Sequence, residues 1–295
     1  MNVLVTGSNG QLGQTLRAVS GEKDINFIFT DARPADGILP LDILDSSAVS
    51  SFITDYKIEA IVNCAGYTAV DRAENDRERC FEVNASGPAC LASAIRQNNG
   101  LLIHISTDYV FGNEHQPVPL SEDMLVAPLN VYGESKLAGE REIVASGCDY
   151  VILRTAWLYS WCGNNFLNTI LSKSRSDSML RVVCDQVGSP TYALDLANVI
   201  LVVLKDYITT GLGYSKSGIY HYSSEGVCSW YDFAKAICDI SGANCRVYPC
   251  RSNEFVTAAR RPDYSVLDKT KIKAVFGIDV PYWRDSLMQC LQKMS

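Results

Sequence analysis

The amino-acid sequence predicts an α/β fold built on a doubly wound parallel sheet. Three observations predict it: short apolar runs alternate with amphipathic segments, the runs lack period-two alternation, and a glycine-rich turn follows the first run. Apolar runs without alternation are typical of strands buried on both faces. Strand and helix in strict alternation imply right-handed crossovers, and therefore a Rossmann-like parallel sheet.

Five apolar runs mark the predicted strands. In chain order they are NVLVT (2–6), INFIFT (25–30), EAIVNCA (59–65), GLLIHIS (100–106) and DYVILRT (149–155). Helical patterns lie between them, among them SSAVSSFITDY (46–56) and the long stretch RAENDRERCFEVNASGPACLASAIRQN (72–98). Residues 1–155 are therefore predicted to form a dinucleotide-binding domain.

After residue 155 the alternation loosens. Glycine, serine and proline gather in segments such as DQVGSPT and TTGLGYSKSG, with helical patterns such as SWYDFAKAICDI and YWRDSLMQCLQKM between them. Residues 156–295 are predicted to form a smaller, mixed α/β region on the edge of the first domain, with some later segments returning to that domain.

The composition excludes several classes of protein. A chain of 295 residues with 47% hydrophobic and 20% charged residues is typical of a globular protein, which excludes disordered and fibrous classes. The formal net charge of -7 argues against a nucleic-acid binder. No apolar run approaches the roughly 20 residues of a membrane span, and the first run is too short for a signal peptide, so we expect a cytoplasmic protein without membrane contact.

The cysteines indicate neither disulfides nor a zinc site. They number 11, an odd count without a Cys-x-x-Cys pair, and the chain has only three histidines to complete a metal site. We therefore expect reduced, individually buried thiols and no metal. His104 lies inside an apolar run and His221 in IYHYS, and both are predicted to be packed core residues.

The turn after the first strand has the pattern of a dinucleotide site. Gly7, Gly10 and Gly13 follow a predicted strand and open a predicted helix, whose N-terminus offers free N–H groups to a pyrophosphate. Asp31 ends the second strand, where an acidic side chain would bind the adenosine ribose and favour NAD. Arg33 could instead meet the 2′-phosphate of NADP, so this choice stays open.

A possible catalytic set follows the fourth strand. Thr107 ends that strand at the edge where ligands bind in open α/β sheets. Tyr132 and Lys136 lie four residues apart, on one face of a predicted helix. Tyr231 and Lys235 repeat this spacing, but they begin a helix without a glycine turn or a threonine strand, so we interpret them as a coincidence.

The set suits the reduction of a ketone. Hydride addition leaves a developing alkoxide that needs a proton, and the ordinary pKa of tyrosine near 10 lies about three units, or about 4 kcal/mol, from neutrality. The ammonium of Lys136 would favour the phenolate of Tyr132 and reduce this mismatch. Thr107 would hydrogen-bond the carbonyl oxygen and orient it.

The chain resembles the extended short-chain dehydrogenase/reductase family and, within it, the branch of dTDP-4-dehydrorhamnose reductases. The resemblance runs nearly end to end. Its segments are TGSNGQLG, VNCAGYTAVDRAE, STDYVFG, PLNVYGESKLAGE, RTAWLYS, GNNF, DQVGSPT and ARRPDYSVLD.

This resemblance implies reduction of the C4 ketone of dTDP-4-dehydro-L-rhamnose by NADPH, with NADH as an open alternative. It makes Tyr132 the proton donor, lets Lys136 hold the nicotinamide ribose and lower the pKa of the phenol, and assigns residues 156–295 mainly to the nucleotide-sugar. The implied cofactor contacts are Gly7, Gly10, Gln11, Leu12, Gly13, Asp31, Asp42, Ile43, Ala65, Gly66, Tyr67, Tyr132 and Lys136. The implied substrate contacts are Thr107, Asp108, Tyr109 and Trp157.

Several alternatives stay open at this point. A sugar-nucleotide epimerase or dehydratase would use the same fold, and a non-catalytic NADP-binding regulatory subunit, like the β subunit of methionine adenosyltransferase, would keep the pocket without turnover. Thr15 stands where some reductases carry an acidic magnesium ligand at a dimer interface, so no metal is predicted and a homodimer is left open. Candidate cations for the diphosphate are Arg175, Arg260 and Arg261.

Overall fold

A seven-stranded parallel sheet forms the centre of the computed structural model, which describes residues 1–113, 117–211 and 213–294. In chain order the strands are β1 (Asn2–Thr6), β2 (Asn26–Asp31), β3 (Leu39–Pro40), β4 (Ala60–Asn63), β5 (Leu101–Thr107), β6 (Asp149–Thr155), β7 (Leu158–Tyr159), β8 (Met179–Val183), β9 (Val187–Gly188), β10 (Thr191–Tyr192), β11 (Gly218–Tyr222), β12 (Cys228–Ser229) and β13 (Arg246–Cys250). The central sheet has the order β11-β6-β5-β4-β1-β2-β3.

Helices cover both faces of this sheet and build the second region. They are α1 (Gln11–Ala18), α2 (Ser46–Asp55), α3 (Val70–Ala73), α4 (Arg77–Phe81), α5 (Gly87–Gln97), α6 (Val131–Ser146), α7 (Phe166–Ser176), α8 (Ala193–Thr210), α9 (Trp230–Ser241), α10 (Thr270–Phe276) and α11 (Trp283–Met294). Within the described residues, none of these helices has both the length and the apolar character that a membrane span requires.

Two apolar layers hold the helices on the sheet. Val3 and Val5 of β1 point to one side, where they join a cluster with α1, α8 and α10. Leu4 points to the other side, into a cluster with α2, α5 and α6. All three side chains are fully buried, as expected for a strand covered on both faces.

The predicted fold class is confirmed, and the five predicted strands occur within one or two residues of their expected ends. The long stretch at 72–98 was predicted to be helical, and most of it is, although not as one continuous α-helix. The chain there forms α4, a π-helical turn over Glu82–Ser86, and α5. The interruption places Asn84 against the loop that follows β4, a long-range contact that helical periodicity does not encode.

The second region has a core of its own. Short strand pairs, β7 with β10, β8 with β13 and β9 with β12, frame a cluster that includes Tyr159, Tyr192, Phe233 and Leu287. Helix α9 begins with the capping box that its sequence indicates, in which the side chains of Ser229 and Asp232 each accept the other's backbone N–H. Strand β11 is an edge strand of the central sheet, and helices α8 and α10 pack on that sheet. The division at residue 155 stays a prediction.

Candidate functional site

A cleft of about 1390 Å³ lies between the carboxyl edge of the central sheet and the second region. This is the edge at which open α/β sheets bind ligands. The structure brings nearly all of the predicted site residues together there. Those that line the cleft are Gly7, Gly10, Gln11, Leu12, Asp31, Asp42, Ile43, Ala65, Gly66, Tyr67, Thr107, Asp108, Tyr109, Tyr132, Lys136 and Trp157.

The glycines of the first turn allow backbone segments to pack closely against each other. Gly7 has a φ of +65°, and a Cβ there would lie 2.5 Å from the backbone nitrogen of Ala65. A Cβ on Gly13 would lie 2.5 Å from the Cα of Ser8, so Gly13 allows α1 to approach the turn from behind. Gly10 caps α1 and faces the cleft, which leaves the helix N-terminus accessible to an anionic group.

Asp31 holds this turn in place. Its carboxylate accepts hydrogen bonds from the backbone N–H groups of Asn9 (3.0 Å) and Arg33 (3.1 Å). The Arg33 side chain is exposed. Asp42 and Ile43, just before α2, also line the cleft, and their contact with an adenosine stays a prediction.

Asn84 is a residue of the site that the sequence analysis missed. Its side chain accepts from Tyr67 N–H (2.8 Å), donates to Tyr67 O (3.0 Å) and also donates to Ser135 Oγ (3.0 Å) of α6. Asn84 therefore links the loop at Ala65–Tyr67 to the helix that carries Tyr132. The signal for it in the sequence is the helix-breaking segment NASGP within an otherwise helical pattern.

Tyr132 meets Thr107 across the cleft. Helix α6 begins at Asn130, whose side chain accepts the Gly133 N–H (2.8 Å), and this cap places Tyr132 in the first turn of the helix. Burial raises the pKa of the Tyr132 phenol, while the neighbouring Thr107 side chain acts in the opposite direction. The phenol is therefore protonated at neutral pH and available as an acid.

Lys136 lies behind Tyr132 and is almost fully buried. Its Nζ donates to the carbonyl of Ile105 (2.6 Å) and lies 3.2 Å from Nε2 of His104. Burial lowers the pKa of Lys136 to about 8, and the carboxylate of Glu140 opposes this shift. The effect of Lys136 on the phenol stays a prediction, since its hydrogen bonds here are with β5.

Asp108 and Tyr109 directly follow Thr107 and also line the cleft. Asp108 is only 2% exposed, and burial raises the pKa of its carboxyl to about 7. Its Oδ2 has no hydrogen-bond partner among the described residues. Tyr109 packs edge-on against Tyr132, with ring centroids 5.8 Å apart, and the Arg261 side chain lies near it.

Trp157 forms an aromatic wall of the same cleft. Its ring stacks on Trp230 with centroids 3.6 Å apart, and Phe166 packs against Trp230. Trp157 has a φ of +49°, unusual for a bulky residue, and Gly188 gives its ring space because a Cβ there would lie 2.8 Å from it. The sequence analysis missed Trp230, which reaches Trp157 only through tertiary packing, and it quoted Phe166 only as the last residue of GNNF.

Gln11 connects the glycine turn to the second region. Its Oε1 accepts from Asn165 Nδ2 (2.9 Å) and from Ser160 Oγ (3.2 Å). One turn further along α1, Thr15 is buried and donates to Gln11 O (2.7 Å). These bonds join the start of α1 to the GNNF segment across the cleft.

The candidate cations separate into two groups. Arg260 and Arg261 line the cleft, and Arg261 forms a bidentate pair with Asp71. Arg175 lies in a small surface depression elsewhere. Lys173 and Arg181, which the sequence analysis did not name, line the cleft instead.

Two further predictions concern residues outside the reactive set. His221 is fully buried, as predicted, and its Nδ1 lies 2.9 Å from the carbonyl of Leu120. Lys235, in the second Tyr-x-x-x-Lys copy, is an exposed residue of α9 whose Nζ pairs with Asp239 (2.6 Å). His104 is fully buried as predicted, but it contacts Lys136.

Comparisons with known proteins point to one family. Residues 1–295 match the family described as the RmlD substrate binding domain. The dTDP-4-dehydrorhamnose reductase of Aggregatibacter actinomycetemcomitans is 37% identical, over 97% of this chain and 96% of that protein.

Solved structures of the same group superpose closely. The dTDP-4-dehydrorhamnose reductase ortholog from Clostridium acetobutylicum has a TM-score of 0.91 and 38% identity, covering 100% of this chain and 99% of that chain. The enzyme from Bacillus anthracis, solved in complex with NADP, has a TM-score of 0.90 and 34% identity over the same shares.

Proposed function

We propose a function for this chain from one premise: it belongs to the family of the RmlD substrate binding domain. Its relatives are dTDP-4-dehydrorhamnose reductases, and one of them was solved with NADP. The chain is accordingly an NAD(P)H-dependent oxidoreductase that uses NADPH. Its small-molecule partner is a dTDP-sugar.

The reaction that we propose is reduction of the C4 ketone of dTDP-4-dehydro-L-rhamnose to the alcohol of dTDP-L-rhamnose. One observation supports it above the others: Thr107, Tyr132 and Lys136 face the same cleft as the glycine turn at the start of α1. An acid, a hydroxyl that orients a carbonyl and a cofactor site are the groups that this chemistry requires.

The residues of the chain fit the cofactor. The open N-terminus of α1 would hold the pyrophosphate, Asp31 would lie by the adenosine ribose, and the loop at Ala65–Tyr67 would line the nicotinamide side. When bound, NADPH supplies the hydride for the ketone carbon. Lys136 would hold the nicotinamide ribose.

The proton comes from the protein. Tyr132, whose burial keeps its phenol protonated, donates the proton to the developing alkoxide. Thr107, at the end of β5, hydrogen-bonds the carbonyl oxygen and orients it toward Tyr132. Asp108, Tyr109 and Trp157 hold the sugar.

Consumption of NADPH with enzymatically generated dTDP-4-dehydro-L-rhamnose tests this function. We expect one NADPH oxidised for each ketone reduced, with dTDP-L-rhamnose as the product. An epimerase or dehydratase would convert a dTDP-sugar without net NADPH oxidation, and a regulatory subunit would bind NADPH without any turnover. Either of these results would contradict the proposal.

A further inference from the structure

The strand that carries Thr107 also contains a buried histidine that the proposed reaction does not use. The chain of contacts to it begins at Asn63, in the neighbouring strand β4. Asn63 Oδ1 accepts from Thr6 Oγ1 (2.7 Å) and from the backbone N–H of Ala65 (3.1 Å). A backbone N–H can only donate, so the oxygen of Asn63 faces Ala65 and its amide nitrogen faces His104.

The orientation of Asn63 determines which nitrogen of His104 carries the proton. Asn63 Nδ2 lies 3.0 Å from His104 Nδ1, so Nδ1 is the acceptor. His104 is fully buried, and its pKa is lowered well below the usual range, mainly by that burial, so the ring is neutral. A neutral imidazole that accepts at Nδ1 carries its hydrogen at Nε2.

That hydrogen faces Lys136. Nε2 lies 3.2 Å from Lys136 Nζ, which also donates to Ile105 O. An amine has a lone pair to accept the Nε2–H, whereas an ammonium has only donors. The hydrogen bonds of His104 and Lys136 can therefore all form when Nζ is an amine. When Nζ is an ammonium, its N–H and the Nε2–H of His104 are two donors that face each other without an acceptor.

We propose that His104 is a positioning residue for Lys136: oriented by Asn63, its Nε2–H holds the amine of Lys136 against β5 and opposes its protonation. Protonation then releases Nζ from His104 and frees it to turn toward the cleft, which Lys136 and Tyr132 both line. The position and the charge of Lys136 are linked. This inference deepens the proposed role of Lys136, and only its catalytic consequence rests on the proposed function.

The other groups around Nζ do not replace His104. Among the described residues, the other titratable groups that act on Lys136 are Cys64, Cys80 and Glu140. Glu140 is itself paired with Arg154 at 2.7 Å, which offsets its charge. The carboxylate of Glu140 is thus already paired with a cation, and His104 makes the direct contact with Lys136 Nζ.

Nitrogen NMR of protein with isotope-labelled histidine and lysine tests the proposal without cofactor or substrate. We expect His104 in the Nε2–H tautomer, identified by loss of its signals in His104→Gln. We expect the Lys136 amine, identified by loss in Lys136→Arg, to titrate at least about two units below the usual lysine pKa of 10.4. An Nδ1–H tautomer in the unmodified protein would overturn the proposal.

Asn63→Asp supplies the matched variant. A carboxylate keeps both acceptor bonds to Thr6 and Ala65 but also accepts at His104 Nδ1, so the ring should change to the Nδ1–H tautomer. Nε2 then accepts from the ammonium, and the lysine titration should move upward by about one unit or more. If the tautomer changes and the titration does not, the proposal fails. If the variant does not fold, the measurement on the unmodified protein still decides.

The catalytic consequence has its own readout. If activity needs the ammonium, kcat/KM falls as pH rises through the pKa of Lys136, and this basic limb should move to higher pH in Asn63→Asp, by the same amount as the lysine titration. If NMR shows the expected tautomer but the protein has no reductase activity, the proposed function is contradicted and the His104 contact is still supported. A basic limb that does not follow the lysine titration would refute the linkage in catalysis.

Discussion

Asp108 illustrates how burial alone can change the chemistry of a single side chain. It lies next to Thr107, whose hydroxyl donates to Asp108 Oδ1 (3.1 Å), but its second oxygen has no partner among the described residues. Burial of a carboxylate in this way disfavours the charged form, and the pKa of Asp108 rises to about 7. The carboxyl can thus offer a proton to a sugar hydroxyl near neutral pH.

The raised pKa of Asp108 predicts a pH dependence of stability. Below about pH 4 the carboxyl is protonated in both folded and unfolded chains, and the folded state then loses stability as pH rises toward 7. Asp108→Asn removes this loss while keeping the Oδ1 acceptor. We expect the free energy of unfolding of the variant, relative to the unmodified protein, to increase between pH 4 and 7 by up to about 4 kcal/mol.

Urea unfolding at several pH values measures this difference. The gain should level off above about pH 7, where Asp108 is ionised. A difference between the two proteins that stays constant over this range would show that Asp108 keeps an ordinary pKa.

At the scale of elements, the first βα unit depends on backbone contact. Helix α1 lies so close to the turn that Gly13 has no space for a Cβ. The same close approach brings the helix N-terminus to the cleft. The close packing of α1 therefore also determines where the phosphate site lies.

Gly13→Ala should destabilise the protein strongly. The added Cβ would lie 2.5 Å from Ser8 Cα and 2.6 Å from Gly7 O, both backbone atoms that cannot move without shifting the turn. We expect a loss of about 1–3 kcal/mol in the free energy of unfolding, together with weaker binding of NADPH. Gly21→Ala is the matched control, since nothing lies within 4 Å of its Cβ and its stability should change little.

Thermal unfolding and NADPH titration of the two variants check this prediction. Equal stability and equal NADPH affinity in both would contradict the packing argument for α1.

The strands of the central sheet show which elements could be predicted from the sequence and which could not. Strands β1, β4 and β5 were predicted because they are buried on both faces. Burial on both faces requires apolar residues along the strand, so the apolar run is visible in the sequence. Strand β11 was not predicted as part of the sheet, because GIYHY contains polar residues that are satisfied only by distant partners. An example is His221, which pairs with the Leu120 carbonyl.

The same limit applies to the site. Thr107 and Tyr132 follow from local motifs, since each lies at the end of a strand or the start of a helix. Asn84, Trp230 and His104 act through contacts with residues far away in the chain, and no local spacing indicates those contacts. The structure was needed to show these contacts.

At the scale of the whole molecule, a buried ion pair joins the central sheet to helix α6. Arg154 of β6 binds Glu140 of α6 through both its Nε (2.9 Å) and its terminal nitrogen (2.7 Å). Ser106 of β5 donates to the same carboxylate (2.5 Å). Both charged side chains are 2–3% exposed, so the pair anchors the helix that carries Tyr132 and Lys136.

Glu140→Gln should destabilise the whole fold. It leaves the Arg154 charge buried without a counter-charge, which costs about 3–5 kcal/mol in proteins. Asp239→Asn is the control, because it breaks the exposed pair with Lys235, and such pairs contribute about 1 kcal/mol or less. Urea unfolding of both variants tests this; a loss in Glu140→Gln no larger than that in Asp239→Asn would exclude a structural role for the pair.

The central claim is that Tyr132, in the first of two identical Tyr-x-x-x-Lys spacings, donates the proton to the reduced ketone. The most direct test is kcat/KM for dTDP-4-dehydro-L-rhamnose with NADPH in Tyr132→Phe and in Tyr231→Phe, which remove the same atom from the two copies. We expect Tyr132→Phe to lose about 100- to 10,000-fold, and Tyr231→Phe to remain close to the unmodified protein. Undiminished turnover in Tyr132→Phe, or an equal loss in both variants, would contradict the account.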